Sequence, residues 1–236
     1  MSLPKIDKPI FEVNVPSLKR AVKFRPFTVK EEKILLVAQQ EGNEKSIILA
    51  IKQVINNCCQ EEKFDVDNMA TFDLEYVFLK LRARSISNVI EVSYRDNEDD
   101  KVYNFEIDLE EVQMLQNGDA SNVIAITDTM GIKMKYPSVT IIDDAPTEAS
   151  AADVVEYLIR KCIDSIYDGE NVYLADEYNE TELLEWLDGL DVATFNKIRM
   201  FFDNLPQMFY KLEYTNSLGN VKTIELSTLS DFFILG

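Results

Sequence analysis

The sequence predicts an α+β fold with an N-terminal hairpin and helical lobe, central antiparallel strands, and C-terminal helices with a terminal hairpin. Segments with helical periodicity and segments that alternate apolar and polar residues are grouped along the chain, whereas a doubly wound α/β fold would interleave them. Apolar residues make up 46% of the 236 positions, which is enough to bury a sizeable core. No stretch approaches the roughly 18 apolar residues that cross a bilayer, so we expect a soluble protein without membrane contact.

Local signals predict the first strands and the start of the first helix. Residues 11–15 and 21–24 alternate apolar and polar side chains, which predicts a short hairpin that turns at residues 16–17. Thr28 followed by Glu31 matches a capping box, in which each residue satisfies a free backbone donor near the helix start. A helix should therefore begin at this point.

Periodicity and turn signals predict the remaining elements. The first helix should span residues 28–41, end at Gly42 and bury four apolar side chains: Ile34, Leu35, Val37 and Ala38. Five further helices are predicted: one that begins at Asn43 or Ser46 and runs to residue 59, and four over residues 71–84, 148–167, 181–187 and 191–204. Three strand pairs are predicted: residues 89–94 with 101–107, 123–126 with 132–136, and 209–214 with 221–226.

We divide the chain into three segments within one compact or bilobed unit. Residues 1–88 hold the hairpin and helical region, residues 89–145 are rich in strands, and residues 146–236 form an acidic helical region that ends in a β-hairpin. The boundaries follow a change from helical to alternating periodicity and a polar, proline-containing stretch. The apolar end of the chain, residues 229–235, either docks into the protein's own core or is offered to a partner.

The charge distribution disfavours nucleic acids and anionic membranes as partners. The chain has 42 acidic and 24 basic residues, a net charge of −18. Residues 1–35 carry eight basic and four acidic residues (net +4), whereas residues 143–191 carry fifteen acidic and two basic residues (net −13). Such segregation can guide head-to-tail or heteromeric docking, and an ordinary solvated acidic face is the alternative.

The sequence contains no recognisable catalytic or metal-binding pattern. It has no histidine, which removes the commonest general base and the usual nitrogen ligand of zinc. Cys58, Cys59 and Cys162 form neither a disulfide framework nor a tetrahedral site, and they favour a reducing compartment. A calcium loop that starts at Asp164 fails because its twelfth position is Ala175. We therefore expect no catalytic residues, no cofactor and no metal, with a carboxylate- or metal-dependent enzyme as a remote alternative.

Four stretches of the chain carry a family resemblance. They are LPKID at residues 3–7, VPS at 15–17, FRPFTVKEEKILLVA at 24–38 and FDLEYVFLKLRARS at 72–85. In their order and spacing they resemble the baseplate hub assembly proteins of T-even-like contractile-tailed bacteriophages, most strongly over residues 3–95. That family has two paralogous types, a hub subunit and a hub assembly catalyst, and these stretches do not separate the two.

The resemblance implies a non-enzymatic, chaperone-like assembly factor that binds other baseplate hub or tail proteins, including the tape-measure protein, in the host cytoplasm. A permanent structural subunit of the baseplate in the virion is the alternative, and self-association is a further option. We expect ten residues of the two longer stretches to bind partners: Arg25, Pro26, Phe27, Lys30, Glu31, Glu32, Lys33, Asp73, Arg82 and Arg84. The basic cluster at residues 80–85 can grip an acidic surface or simply complement the end of a helix.

Overall fold

The chain folds as two units in the computed structural model. The residues that the structure describes are 6–116, 121–147 and 149–232. The terminal unit consists of residues 1–115 together with 207–236, and the central unit consists of residues 116–206. The last hairpin of the chain belongs to the terminal unit because it pairs with a strand that ends at Leu115.

The described residues form strands and helices in the following order along the chain. The strands are β1 (Phe11–Val15), β2 (Arg20–Phe24), β3 (Val89–Arg95), β4 (Val102–Asp108), β5 (Gln113–Leu115), β6 (Val123–Ala125), β7 (Met130–Met134), β8 (Ile163–Asp168), β9 (Asn171–Leu174), β10 (Gln207–Thr215) and β11 (Val221–Leu226). The helices are α1 (Val29–Glu41), α2 (Glu44–Cys58), α3 (Thr71–Ser85), α4 (Val139–Asp143), α5 (Ala151–Cys162), α6 (Glu180–Asp188), α7 (Val192–Asp203) and α8 (Leu229–Phe232), with a 3₁₀ turn at Ala175–Glu177.

Small antiparallel sheets and helices form the terminal unit. β1 pairs with β2, β3 pairs with β4, and β10 pairs with both β11 and β5. One buried cluster joins α3 to the β3–β4 and β5–β10–β11 sheets and to α8, and its members include Leu79, Ala83, Ile107, Leu109, Met208 and Phe232. Within the apolar end of the chain, Phe232 is buried in the protein's own core. Residues 233–236 lie outside the described residues.

The tips of two hairpins are joined within the terminal unit. Asp99, in the loop after β3, accepts hydrogen bonds from Tyr103 Oη over 2.6 Å and from the Ser217 backbone N–H over 3.0 Å. Glu98 accepts a bond from Asn216 Nδ2 over 2.9 Å. Because Ser217 and Asn216 belong to the loop between β10 and β11, these bonds hold the last hairpin against the β3–β4 hairpin.

The central unit is built on a single antiparallel sheet in the order β6–β7–β8–β9. Its core comes from this sheet and from helices α5, α6 and α7, and includes Ile132, Ile159, Ile163, Leu183, Leu187, Ile198 and Phe201. Gly131 on β7 lies directly against the Tyr167 ring of β8. A Cβ atom there would lie 2.6 Å from the Ile124 carbonyl oxygen, so the sheet needs glycine at this position.

The helix predicted over residues 148–167 is wrong in its last five residues. α5 ends at Cys162, and the chain continues as β8, which pairs with β7 and β9. The apolar spacing continues through Ile163, but Ile163, Ser165 and Ile166 are buried in the sheet. Strand pairing therefore overrides the local helical pattern. Residue 148 lies outside the described residues, and β5, β9 and α4 carry no clear sequence signal.

The start of α1 is confirmed, but its buried face is narrower than predicted. The capping box between Thr28 and Glu31 is present, and Gly42 ends the helix in the left-handed region with a φ of +69°. Ala38 is buried as predicted, whereas Val37 is exposed. α1 packs against α2, and the apolar residues Val29, Leu36 and Val37 on its other side remain in contact with water.

Candidate protein-interaction surface

The first group of predicted partner-binding residues forms an internal latch at the start of α1. Arg25 Nη2 donates to Glu31 Oε1 over 3.0 Å and to the Asn57 carbonyl oxygen over 2.9 Å, which ties the start of α1 to the end of α2. Arg25 Nη1 donates to the Pro26 carbonyl oxygen over 3.1 Å. The Thr28 backbone N–H donates to Glu31 Oε2 over 2.8 Å. We call Arg25, Thr28, Glu31 and Asn57 the α1 latch.

The electrostatics of the α1 latch keep the Glu31 carboxylate ionised. Burial opposes ionisation of Glu31, but the hydrogen bonds from Arg25 and Thr28 outweigh it and lower the pKa of Glu31 to about 2. The hydrogen bond to Glu31 also raises the pKa of Arg25. The α1 latch therefore contains a charged pair, Arg25 and Glu31, that positions the helix start. The Glu31 side chain of this pair is almost completely buried.

Asp73 and Phe27 also make internal contacts. Asp73 is buried on α3 and accepts hydrogen bonds from the Ser17 backbone N–H, over 3.1 Å, and from the Ser17 hydroxyl. Burial raises the pKa of Asp73, although both hydrogen bonds oppose this shift. Phe27 is buried, and its backbone N–H donates to Ser85 Oγ over 2.9 Å. These contacts fix the β1–β2 turn and the strand-to-helix junction on α3.

The basic residues near the end of α3 lie beside the chain that follows β4. Arg84 Nε pairs with Glu110 Oε1 over 2.9 Å while its side chain remains exposed. Arg82 is half-buried, and burial lowers its pKa. Lys80 Nζ donates to the carbonyl oxygens of Leu109 and Glu110 over 2.8 and 3.1 Å. The cluster thus makes contacts within its own chain, and Arg84 keeps an exposed edge.

The second group of predicted residues lies on the exposed side of α1. These charged residues are Lys30, Glu32 and Lys33. Next to them, Val29, Leu36 and Val37 are 65%, 51% and 56% exposed. Positions 29, 33, 36 and 37 share one side of a helix, because residues three, four or seven apart are neighbours on its surface. We call Val29, Lys33, Leu36 and Val37 the α1 outer face.

The structure therefore divides the predicted residues and adds apolar ones to them. Arg25, Pro26, Phe27 and Glu31 come together at the helix start, while Asp73, Arg82 and Arg84 make their contacts along α3. A pattern in the sequence could have identified the exposed apolar residues Val29, Leu36 and Val37: the segment that forms α1 has apolar residues on two opposite sides of the helix. A helix that packs on only one side can use just one of these sides for its core.

The described residues offer neither a candidate metal site nor a candidate membrane span. Within the described ranges, no group of three or more cysteine, aspartate or glutamate side chains is placed to hold a metal ion. In the same residues, no helix is long and apolar enough to cross a bilayer. Burial raises the pKa of Cys58 to about 11 and that of Cys162 to about 12, so both thiols stay protonated and unreactive at neutral pH.

Nearly the whole chain matches one protein family. A family model described as T4 bacteriophage base plate protein covers residues 8–234. The chain belongs to this family. No curated protein and no solved structure gives a significant match.

Membership of the T4 base plate family confirms the resemblance to phage baseplate proteins and extends it beyond residues 3–95 to nearly the whole chain. The protein is thus a T4-like phage baseplate protein. Its family points to other baseplate or tail proteins as partners and to the virion tail as its location. The family also favours a role without catalysis.

Proposed function

We propose that this T4-like baseplate protein is a non-enzymatic, chaperone-like factor for assembly of the baseplate hub. It binds another hub protein or the tape-measure protein through the α1 outer face while the baseplate forms in the host cytoplasm. One observation carries the proposal: Val29, Leu36 and Val37 are exposed on a helix whose start is anchored by the α1 latch.

The energetics of this face favour a protein partner. Full burial of a valine or leucine side chain contributes about 1.5–3 kcal/mol, so covering three half-exposed side chains contributes about 3 kcal/mol. An apolar helix face docks into a groove of a partner, which is a common mode of protein recognition. Because α1 is already ordered, little conformational entropy is lost on binding. Lys30 and Glu32 at its edge can favour one partner and orientation over others.

Co-expression with the hub and tape-measure proteins of the same phage tests the proposal. The native chain should form a soluble complex with at least one of them. The double variant Leu36→Ser/Val37→Ser should bind at least tenfold more weakly, because it removes about 2 kcal/mol of apolar contact. Leu218→Ser is the control, since Leu218 is also an exposed apolar residue, at 64%, but lies in the β10–β11 loop outside the α1 outer face and should be dispensable. No complex with any of these proteins, or full binding by the double variant, contradicts the proposal.

A permanent structural subunit of the baseplate is the second candidate function. The family description supports this candidate because it names a base plate protein. Mass spectrometry of purified virions separates the two candidates. A structural subunit should be present at a fixed stoichiometry, whereas an assembly factor should be absent from the finished particle.

A further inference from the structure

We propose that copies of this chain associate head to tail, with residues 6–10 of one copy adding as a strand to the free edge of β9 in the next copy. This interface is separate from the α1 outer face and does not depend on it. Its two halves are an exposed sheet edge in the central unit and an exposed apolar segment in the terminal unit.

β9 is an edge strand that the described residues leave uncovered. It pairs with β8 on one side, with Tyr173 opposite Ile166, and ends the sheet on the other side. All four of its residues are exposed, and Val172, Tyr173 and Leu174 are 62%, 39% and 45% exposed. An uncovered edge with apolar side chains on both faces is a template for an added strand.

The segment that precedes β1 has the complementary character. Ile6 and Ile10 are 83% and 59% exposed, and Lys8 lies between them in an i, i+2, i+4 pattern. In an extended conformation these three side chains share one face. Residues 6–10 form no strand pair in the described structure. Pro9 lacks an N–H group, so it must face away from β9, as prolines in edge strands do.

Charge decides between this partner segment and a second copy of β9. Asp168 and Glu170 precede β9, and Asp176 and Glu177 follow it. Antiparallel pairing of two β9 strands would bring these acidic ends together, which is unfavourable. The central unit has 18 acidic and 6 basic residues, a net charge of −12, whereas residues 1–35 carry a net +4. Residues 6–10 themselves carry one acidic and one basic residue, so they add no net charge to this edge, and the basic region around them fits it better than another acidic edge does.

The two contacting surfaces differ, so the interface is heterologous. Each copy keeps a free segment and a free edge after one contact, and association continues until a ring closes or a filament forms. A variant that lacks only a functional β9 edge should therefore still bind a variant that lacks only a functional segment at residues 6–10. This property separates the proposal from two-fold dimerisation through one self-complementary patch.

Analytical ultracentrifugation of the full chain at low salt tests the proposal with two variants. The edge variant is Val172→Asp/Leu174→Asp, and the segment variant is Ile6→Asp/Ile10→Asp. The native chain should increase in mass with concentration, and each variant alone should stay a monomer. An equimolar mixture of the two variants should form a 1:1 dimer and nothing larger. Val192→Asp is the matched control, because Val192 is exposed elsewhere in the central unit and should leave association unchanged.

A peptide of residues 4–12 gives a second measurement. It should bind the segment variant, whose β9 edge is intact, and bind the edge variant at least tenfold more weakly. Circular dichroism of both variants should match the native chain, since all four changed positions are exposed. A native chain that stays monomeric at all concentrations overturns the proposal. Association that survives either variant, or mixed variants that fail to pair, also overturns it.

Discussion

Replacement of Arg25 by alanine should destabilise the terminal unit by about 3 kcal/mol. Arg25 pairs with Glu31 and also donates to the carbonyl oxygens of Pro26 and Asn57. A hydrogen bond to a charged group contributes about 1.5–3 kcal/mol, and the buried Glu31 carboxylate would keep only its bonds from Thr28. The guanidinium is partly exposed, so the loss should lie at the low end of the 3–5 kcal/mol expected for a fully buried pair.

Arg20→Ala is the matched control for this prediction. Arg20 also pairs with a glutamate, Glu61, over 2.8 Å, but Arg20 is exposed and the Glu61 side chain is 30% exposed, so the pair stays in contact with water. An exposed pair contributes less than about 1 kcal/mol, so this variant should remain close to the native chain. Urea unfolding at pH 7, followed by far-ultraviolet circular dichroism, gives both values. Fluorescence of the single tryptophan, Trp186, reports the central unit and should not shift in either variant.

Two results would refute the assignment of Arg25 to an internal latch. The first is an equal loss of stability in Arg25→Ala and Arg20→Ala. The second is strict additivity of Arg25→Ala and Glu31→Gln in a double-mutant cycle, since a paired charge predicts a coupling of about 1–2 kcal/mol.

Lys30→Glu should behave differently from Arg25→Ala: its stability should equal that of the native chain, and its binding of the hub or tape-measure partner should be weaker.

Three further predictions concern the central unit, pH and metals. Gly131→Ala should destabilise the central unit by about 2 kcal/mol, because its Cβ would overlap Tyr167 and the Ile124 carbonyl; unchanged unfolding by Trp186 fluorescence would contradict this. The pKa of Glu31 is depressed from near 4.5 to about 2, so its stabilisation is complete above pH 4.5 and is lost as the pH falls toward 2. The native chain's advantage over Glu31→Gln should therefore shrink by about 2 kcal/mol between pH 7 and pH 3, and a constant difference in urea titrations would exclude the ion pair. Magnesium, manganese and calcium should leave the melting temperature unchanged, and a rise with any of them would revive the metal-dependent enzyme.

Elements with a local signal could be predicted from the sequence. Thr28 caps α1 through a backbone donor two residues away, and Asn43, Asn179 and Asp191 cap later helices through donors three residues away. Such bonds form within a single turn, so distant parts of the chain do not alter them. The hairpin of β10 and β11 could also be predicted from the sequence, because the alternation of apolar and polar residues and the turn-forming residues of its loop are local properties.

Elements that depend on distant contacts could not be predicted. β8 follows α5 without a break, and only its pairing with β7 and β9 makes it a strand. β5 has three residues and exists because β10 pairs with it from more than ninety positions away, with Gln207 opposite Leu115. Sequence periodicity contains no information about such a partner, and β-propensity depends strongly on context.

The candidate surface divides in the same way. By itself the sequence determined the family signature, the charge segregation and the start of α1, because these are properties of neighbouring residues. Only the tertiary structure decided that Arg25, Glu31 and Asp73 face inward and that Leu36 and Val37 face water. The physical reason is that burial is set by what packs against a helix: α1 has apolar residues on two sides, and α2 packs against one of these sides while the other stays exposed.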